Sequence, residues 1–117
     1  MKIMLVDDSK TARSMIKSVL RTEDIEVLEF TDGQQALAGF AEHRPAWVLM
    51  DLEMKHMDGF EATRQIKAQF PDARIVILTT FDDEFMKAAA LEAGACGYVL
   101  KADARNIRNL IQEGFRS

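Results

Sequence analysis

Five short segments rich in apolar residues alternate along the chain with stretches in which apolar residues recur every three or four positions. Short apolar segments of this length are typical of buried strands, and the longer spacing is typical of amphipathic helices. The predicted strands cover residues 3–6, 26–30, 47–50, 75–78 and 96–100. Repeated strand–helix units with short connections predict an α/β fold, in which a doubly wound parallel sheet lies between two layers of helices.

A helix is predicted after each strand. The helices are placed at about 9–21, after Asp32-Gly33, after Asp58-Gly59, at about 83–92, and around the apolar set Ile107, Leu110 and Ile111. Ser9 is suited to the N-cap of the first helix, because its hydroxyl can accept a backbone N–H. Gly94 is suited to the position just after the fourth helix, where a left-handed backbone is common. Pro45 and Pro71 end the second and third helices.

Composition narrows the class of protein. With 117 residues, 48% of them hydrophobic and 29% charged, we expect one globular domain with a single core. A formal net charge of −4 argues against nucleic acid as the main ligand of this domain. Cys96, the one cysteine, excludes an intramolecular disulfide and fits a reducing compartment. No apolar run approaches ~18 residues, and no leader precedes Lys2, so we expect a cytoplasmic protein without a membrane span.

Polar side chains stand at or just beyond the carboxyl ends of four predicted strands. They are Asp7, Asp8, Asp51, Thr79 and Lys101. Ligands bind outside the carboxyl ends of the strands in an open parallel sheet, so these side chains predict one site. Three carboxylates can hold a divalent cation such as Mg²⁺, and cations stabilise a phosphoryl group during transfer.

Plainer interpretations remain open for several of these residues. Asp7 and Asp8 would also suit the positive end of the first helix dipole. Thr79 would also suit a hydroxyl bonded to the backbone, and Lys101 a solvated charge. Asp51 differs, because it lies between apolar residues, where an unpaired carboxylate is costly.

Mutual repulsion among three carboxylates would be relieved by a bound Mg²⁺. Asp51 would then serve as the carboxylate nucleophile in phosphoryl transfer. Lys101 would pair with Asp51 before transfer and with a phosphoryl oxygen afterwards, while Thr79 would donate a hydrogen bond to another phosphoryl oxygen.

Four motifs in a fixed order carry a family resemblance. They are Leu5-Val6-Asp7-Asp8-Ser9, then Asp51 followed by Met54 and Met57-Asp58-Gly59, then Leu78-Thr79-Thr80, and finally Ala93-Gly94-Ala95-Cys96-Gly97-Tyr98-Val99-Leu100-Lys101. With this order and spacing the chain resembles a CheY-like response regulator receiver domain of two-component signal transduction. The resemblance covers 1–117 as a single receiver domain. It implies a flavodoxin-like sandwich with five helices and strand order 2-1-3-4-5.

The resemblance also implies roles for the acidic residues. Asp51 would be the phosphoacceptor, taking a phosphoryl group from a sensor histidine kinase or a phosphotransfer protein. Asp8 and Asp51 would bind Mg²⁺ directly, Asp7 would bind it through water, and the backbone carbonyl of Glu53 would be a further ligand. The protein would thus catalyse its own phosphorylation and slow dephosphorylation without being an enzyme that acts on an external substrate.

A switch follows from the same resemblance. Thr79 and Lys101 would hold the phosphoryl group, and Tyr98 with Thr79 would relay its arrival to the surface formed by the fourth helix, fifth strand and fifth helix. That surface would control a downstream effector protein or output domain. Phe115 is a candidate for a partner contact or a phosphorylation-dependent dimer.

Departures from the family pattern concern the rim of the site. Family members commonly have proline where this chain has Lys55, and proline or aspartate where it has Ala102, so the conformation of the Lys101-Ala102 bond is left open. Glu53 and Phe81 occupy positions that border the phosphoryl group. An anionic Glu53 would oppose its charge or orient water, whereas Phe81 would shield it, and we expect an altered aspartyl-phosphate lifetime.

The sequence also bears on how the signal is passed on and on three alternative functions. The segment Leu78-Thr79-Thr80-Phe81-Asp82-Asp83 resembles receivers that precede a helix-turn-helix domain, so the chain is either a single-domain regulator or the receiver portion of a DNA-binding regulator. A haloacid dehalogenase-like phosphohydrolase would carry aspartate where this chain has Glu53. A scaffold that works without phosphorylation is disfavoured by the complete acidic set. A nucleotide cofactor is disfavoured because the first strand–helix turn lacks glycine.

Overall fold

The described part of the chain forms five strands and six helical segments. A computed structural model describes residues 1–22, 24–54 and 58–113. The strands are β1 (Lys2–Val6), β2 (Glu26–Phe30), β3 (Trp47–Met50), β4 (Ile75–Thr79) and β5 (Gly97–Leu100). The α-helices are α1 (Lys10–Leu20), α2 (Gly33–His43), α3 (Gly59–Gln69), α4 (Glu84–Glu92) and α5 (Ile107–Glu113), and a 3₁₀ helix (Lys101–Asn106) precedes α5.

All strand pairs in the sheet are parallel. The strands lie in the order β2-β1-β3-β4-β5. At the carboxyl end, Val6 is in register with Phe30 and Met50, and Thr79 is in register with Leu100. The residues that follow the strands are therefore placed along one edge. The fold class and the strand order implied by the resemblance are confirmed.

Alternate residues of the three central strands, β1, β3 and β4, enter two separate apolar layers. Met4 and Val6 pack in a layer with residues of α2, α3 and α4, whereas Ile3 and Leu5 pack in a layer with residues of α1 and α5. Both faces of these central strands point into protein, as expected for a parallel sheet covered by helices. The central strands are consequently buried along their whole length, which makes the sheet a rigid base for the edge beyond it.

Side chains cap the helices where the sequence predicts. The Ser9 hydroxyl accepts the Ala12 N–H at 3.2 Å, and Asp58 accepts the Glu61 N–H at 2.8 Å. After α4, Gly94 has a φ of +110°, a backbone conformation that disfavours residues with a Cβ. These predicted helix boundaries are confirmed to within one residue.

Differences from the sequence prediction cluster around β5. Strand β4 extends one residue further, to Thr79, and β5 begins one residue later, at Gly97. The 3₁₀ helix was not predicted. It forms where Ala104, only 3% exposed, packs into the apolar layer of α1 and α5, which draws the chain into a tighter turn.

Other expectations from the sequence concern the loops and the chain end. The peptide bonds described in 1–22, 24–54 and 58–113 include no cis bond, so the Lys101-Ala102 bond is trans. Lys55, Met57 and Phe115 lie outside the described residues. Within those same ranges, no helix combines the length and the apolar character needed to cross a membrane.

Candidate functional site

The carboxyl edge of the sheet gathers the polar residues that the sequence singled out. Asp7 follows β1, Asp51 follows β3, Thr79 ends β4 and Lys101 follows β5. Strand-like hydrogen bonding continues one residue beyond the strands, because the Asp51 N–H donates to the Val6 carbonyl at 2.9 Å and the Asp7 N–H donates to the Phe30 carbonyl at 3.0 Å. The backbones of Asp7 and Asp51 are thus fixed by the sheet itself.

Three carboxylates converge at this edge. Asp7, Asp8 and Asp51 each offer one oxygen, and these oxygens all lie within 4.8 Å of one another. Asp7 is 1% exposed and Asp51 is 6% exposed, whereas Asp8 faces solvent. An all-oxygen donor set with two buried carboxylates fits a hard divalent cation such as Mg²⁺.

Lys101 lies between the two buried carboxylates. Its Nζ donates to Asp7 Oδ2 at 2.8 Å and lies 3.3 Å from Asp51 Oδ1. The shorter contact, with Asp7, was not foreseen from the sequence. A single ammonium group therefore compensates both buried carboxylates in the absence of a metal ion.

Electrostatics set Asp51 apart from an ordinary surface aspartate. Burial, reinforced by the negative charge of Asp7, raises the pKa of Asp51 to about 6, although Lys101 acts in the opposite direction. Burial alone would lower the pKa of Lys101, but its hydrogen bond to Asp7 and the charges of Asp51 and Asp7 outweigh burial and raise it. At neutral pH the site accordingly holds an ionised but poorly solvated Asp51 beside a protonated Lys101.

Thr79 and Tyr98 are joined through the backbone of one residue. The Thr79 side-chain oxygen accepts the Phe81 N–H at 3.2 Å, and the Tyr98 hydroxyl donates to the Phe81 carbonyl at 2.6 Å. Tyr98 also packs against the apolar layer of α2, α3 and α4. The sequence paired Thr79 with Tyr98 but held no signal for this connection, because it runs through main-chain atoms.

The two residues expected at the rim of the site are exposed. Glu53 is exposed two residues after Asp51, and Phe81 is 36% exposed. Among the described residues, no hydrogen bond or ion pair ties the Glu53 side chain to the carboxylates. The two rim side chains are therefore exposed and follow Asp51 and Thr79 by two residues each.

Gly59 shapes the site from behind. A Cβ on Gly59 would clash with the Asp51 backbone oxygen, and the Gly59 N–H donates to the Leu52 carbonyl at 3.1 Å. The start of α3 therefore packs directly against the segment that carries Asp51. The sequence marked Gly59 as a helix start, but only the packing shows why a side chain has no room there.

Arg13 is a further residue that the sequence analysis missed. Its Nη1 donates to the Asp7 backbone oxygen at 2.7 Å, and its Nε donates to Glu29 Oε1 at 3.1 Å. Lys17 also bonds to Glu29, at 3.0 Å. The available signal was weak: two basic residues four positions apart on α1, and an acidic residue near the end of β2.

The family follows from comparison with known proteins. Residues 3–112 match the profile of the response regulator receiver domain. The chain belongs to this family. The chain is also 40% identical, over 118 aligned residues, to the response regulator protein VraR of Staphylococcus aureus (strain Mu3 / ATCC 700698). That match covers 98% of this chain and 56% of VraR, so the chain spans little more than half the length of this relative.

Solved receiver structures share the same architecture. A LuxR-family two-component response regulator from Aurantimonas sp. SI85-9A1 is 34% identical with a TM-score of 0.89, over 96% of this chain and 82% of that one. The BeF₃-activated receiver domain of Klebsiella pneumoniae RstA is 27% identical with a TM-score of 0.90, over 100% of both chains. The predicted resemblance is confirmed, and the chain is a receiver domain of a response regulator.

Proposed function

We propose that this receiver domain is a phosphoacceptor switch in which Asp51 takes a phosphoryl group from the phosphohistidine of a sensor histidine kinase or a phosphotransfer protein. An Asp51 carboxylate oxygen would form the new bond to phosphorus while the phosphorus–nitrogen bond breaks and the electron pair returns to the imidazole. The observation that carries this proposal is the buried Asp51 carboxylate, 6% exposed, beside Lys101 and two further carboxylates.

Magnesium is the cofactor in this proposal. Asp7, Asp8, Asp51 and the backbone carbonyl of Glu53 would hold Mg²⁺, and the fit rests on the all-oxygen donor set. Bound Mg²⁺ would supply positive charge that neutralises the phosphoryl oxygens as they approach the carboxylates.

The chain's own residues prepare the transfer. With a pKa of about 6, Asp51 is mostly ionised at pH 7 and above, as a nucleophile must be. Lys101 already reaches Asp51, so a phosphoryl group on Asp51 would lie within reach of the same ammonium group. Thr79, 1% exposed at the end of β4, would donate its hydroxyl hydrogen to another phosphoryl oxygen.

Signal output would follow from the backbone of Phe81. If Thr79 turns toward a phosphoryl oxygen, its bond to the Phe81 N–H is lost, and the Phe81 carbonyl that accepts the Tyr98 hydroxyl is freed to move. This change would shift the population of the surface formed by α4, β5 and α5 and so control an effector protein or output domain. A phosphorylation-dependent dimer is one form this output could take.

The rim residues would adjust how long the phosphoryl group persists. Exposed Glu53 would repel the phosphoryl charge or orient water, and Phe81 would shield the bond from water. Decay rates of the phosphorylated Glu53→Ala and Phe81→Ala variants test this part of the proposal, and unchanged rates in both would remove it.

The second candidate function is that of the receiver domain within a longer DNA-binding regulator. The chain covers 56% of VraR, and one structural neighbour at 25% identity is described as a DNA-binding response regulator of the LuxR family from Staphylococcus aureus. Both candidates treat residues 1–117 as one receiver domain that binds no nucleic acid itself, and both place it in the cytoplasm. They share the chemistry at Asp51 and differ in what the output surface contacts.

Incubation with acetyl phosphate, a small phosphoryl donor, tests the proposed phosphorylation of Asp51. We expect intact mass to increase by one phosphoryl group in the wild type with Mg²⁺, and to stay unchanged with a chelator or in Asp51→Asn. A phosphoryl gain that persists in Asp51→Asn would contradict the assignment of the phosphoacceptor.

A further inference from the structure

Arg13 connects helix α1, strand β2 and the acidic turn. The guanidinium donates to the Asp7 backbone oxygen at 2.7 Å through Nη1 and to Glu29 Oε1 at 3.1 Å through Nε. Its side chain is only 14% exposed. Hydrogen bonds from a charged donor are stronger than neutral ones, and the planar fork of arginine fixes both partners in one geometry. Arg13 therefore holds a main-chain atom of the site in place from outside it.

The atom that Arg13 holds is the oxygen of the peptide unit between Asp7 and Asp8. In a regular strand, neighbouring side chains point to opposite faces, so two adjacent aspartates serve one site only if this peptide unit is turned and kept turned. The backbone N–H and the side chain of Asp7 are also held by hydrogen bonds. The N–H donates to the Phe30 carbonyl at 3.0 Å, and Oδ1 accepts the Ser9 N–H at 2.9 Å. Arg13 holds the Asp7 carbonyl, and the orientation of this carbonyl sets the direction in which the chain continues to Asp8.

Glu29 in turn orients Arg13. Its carboxylate accepts Arg13 on one oxygen and Lys17 on the other, at 3.1 and 3.0 Å. The two cations lower the pKa of Glu29, with the hydrogen bond from Lys17 as the largest cause, so the carboxylate stays ionised at neutral pH. Glu29 thereby limits the positions open to the guanidinium.

We propose that Arg13 is a positioning residue for the metal site: it orients the Asp7–Asp8 peptide unit so that both carboxylates face Asp51, and Glu29 holds Arg13 for this task. The inference rests on the proposed Mg²⁺ site. Groups that orient metal ligands commonly change metal affinity by 10-fold or more when they are removed. The positive charge of Arg13 acts the other way, since it repels a cation.

These opposing effects allow a sharp test by titration calorimetry with Mg²⁺. We expect Arg13→Gln and Arg13→Lys each to bind Mg²⁺ about tenfold more weakly than the wild type. Lys keeps the charge but not the fork, so it separates geometry from charge. Lys17→Gln is the matched control, because it removes the other cation on Glu29 and leaves Asp7 untouched, and we expect its affinity to stay within about twofold. If charge alone mattered, Arg13→Gln would bind more tightly and Arg13→Lys would be unchanged, which would overturn the proposal.

Amide hydrogen exchange in the metal-free protein tests the turn from Asp7 to Ser9 directly. We expect the Ser9 amide, which donates to Asp7, to exchange with solvent faster in Arg13→Gln than in the wild type or in Lys17→Gln, with the far-ultraviolet circular dichroism unchanged. Glu29→Gln keeps the guanidinium but weakens its hold, and we expect a smaller change in the same direction. Equal exchange rates at Ser9 in the wild type and in all three of these variants would overturn the proposal.

The dependence of phosphorylation on Mg²⁺ separates positioning from a role in the transfer itself. With acetyl phosphate, Arg13→Gln should need about tenfold more Mg²⁺ for half-maximal labelling and should approach the wild-type rate at saturating Mg²⁺. A rate that stays low at saturating Mg²⁺ would overturn positioning as the role. Failure of the wild type to bind Mg²⁺ would instead contradict the proposed function, so the two failures are distinguishable.

Discussion

Replacing Asp51 by asparagine should make the metal-free protein more stable by an amount that grows with pH. Asp51 is 6% exposed, and burial raises its pKa from 3.8 to about 6. A carboxyl group whose pKa is higher in the folded state binds protons more readily when folded. The stabilisation of the folded state that comes from this stronger proton binding is therefore fully present below the unfolded pKa of 3.8. It is lost as pH rises through the folded pKa of about 6.

The size of this effect follows from the difference between the two pKa values. That difference is about 2 pH units, which corresponds to roughly 3 kcal/mol at 1.36 kcal/mol per unit. Between about pH 4 and pH 8, the wild type should lose this much stability relative to Asp51→Asn, because asparagine does not ionise. Groups that titrate in both proteins contribute to both curves, so most of their effect cancels in the difference.

Urea unfolding with a chelator present measures the two free energies of unfolding at each pH. The fluorescence of Trp47, which is 3% exposed, reports unfolding. We expect the stability difference to change most steeply near pH 5, midway between the two pKa values. A difference that stays constant from about pH 4 to pH 8, or that moves toward the wild type as pH rises, would refute this account of Asp51. Saturating Mg²⁺ serves as a control and should favour the wild type, since it stabilises the ionised carboxylate.

Three further substitutions test separate parts of the structure. Lys101→Met removes the ammonium group shared by Asp7 and Asp51, and we expect the metal-free protein to lose about 3 kcal/mol of stability. Mg²⁺ would no longer compete with Lys101 for the carboxylates, so calorimetry should show tighter Mg²⁺ binding. Weaker Mg²⁺ binding would contradict this competition. Gly59→Ala places a methyl group against the Asp51 backbone oxygen and should cost about 1 to 3 kcal/mol in urea unfolding, whereas full stability would show that α3 can shift. Thr63→Val should raise stability by about 1 kcal/mol, because the buried Thr63 hydroxyl has no hydrogen-bond partner among the described residues; a loss of stability would indicate a partner for it.

Much of the fold could be predicted because its signals are local. Apolar segments, helix caps such as Ser9 and the glycine at Gly94 each reflect short-range chemistry that sequence displays directly. Strand order did not follow from that pattern, since periodicity says which residues are buried and not which strands are neighbours. It came from the family resemblance. The 3₁₀ helix after β5 was missed because Ala104 carries no local signal for its packing.

The candidate site shows the same division. Strand ends predicted that Asp51 and Lys101 would share one edge, because parallel strands bring their carboxyl ends together. Contacts to main-chain atoms were invisible: Arg13 reaches the Asp7 carbonyl, and Phe81 joins Thr79 to Tyr98 through its backbone. Sequence lists the side chains, but a peptide carbonyl acquires its direction only when the chain has folded.

The chemical identity of the phosphorylated group is the most direct test of the account. After treatment with acetyl phosphate and Mg²⁺, borohydride reduction converts an acyl phosphate into an alcohol, so a phosphorylated aspartate becomes homoserine at that position. Peptide mass mapping should find homoserine at Asp51, and only after both acetyl phosphate and Mg²⁺ are supplied. Homoserine at Asp7 or Asp8 instead, or a phosphoryl group that resists borohydride, would contradict the claim that Asp51 is the phosphoacceptor.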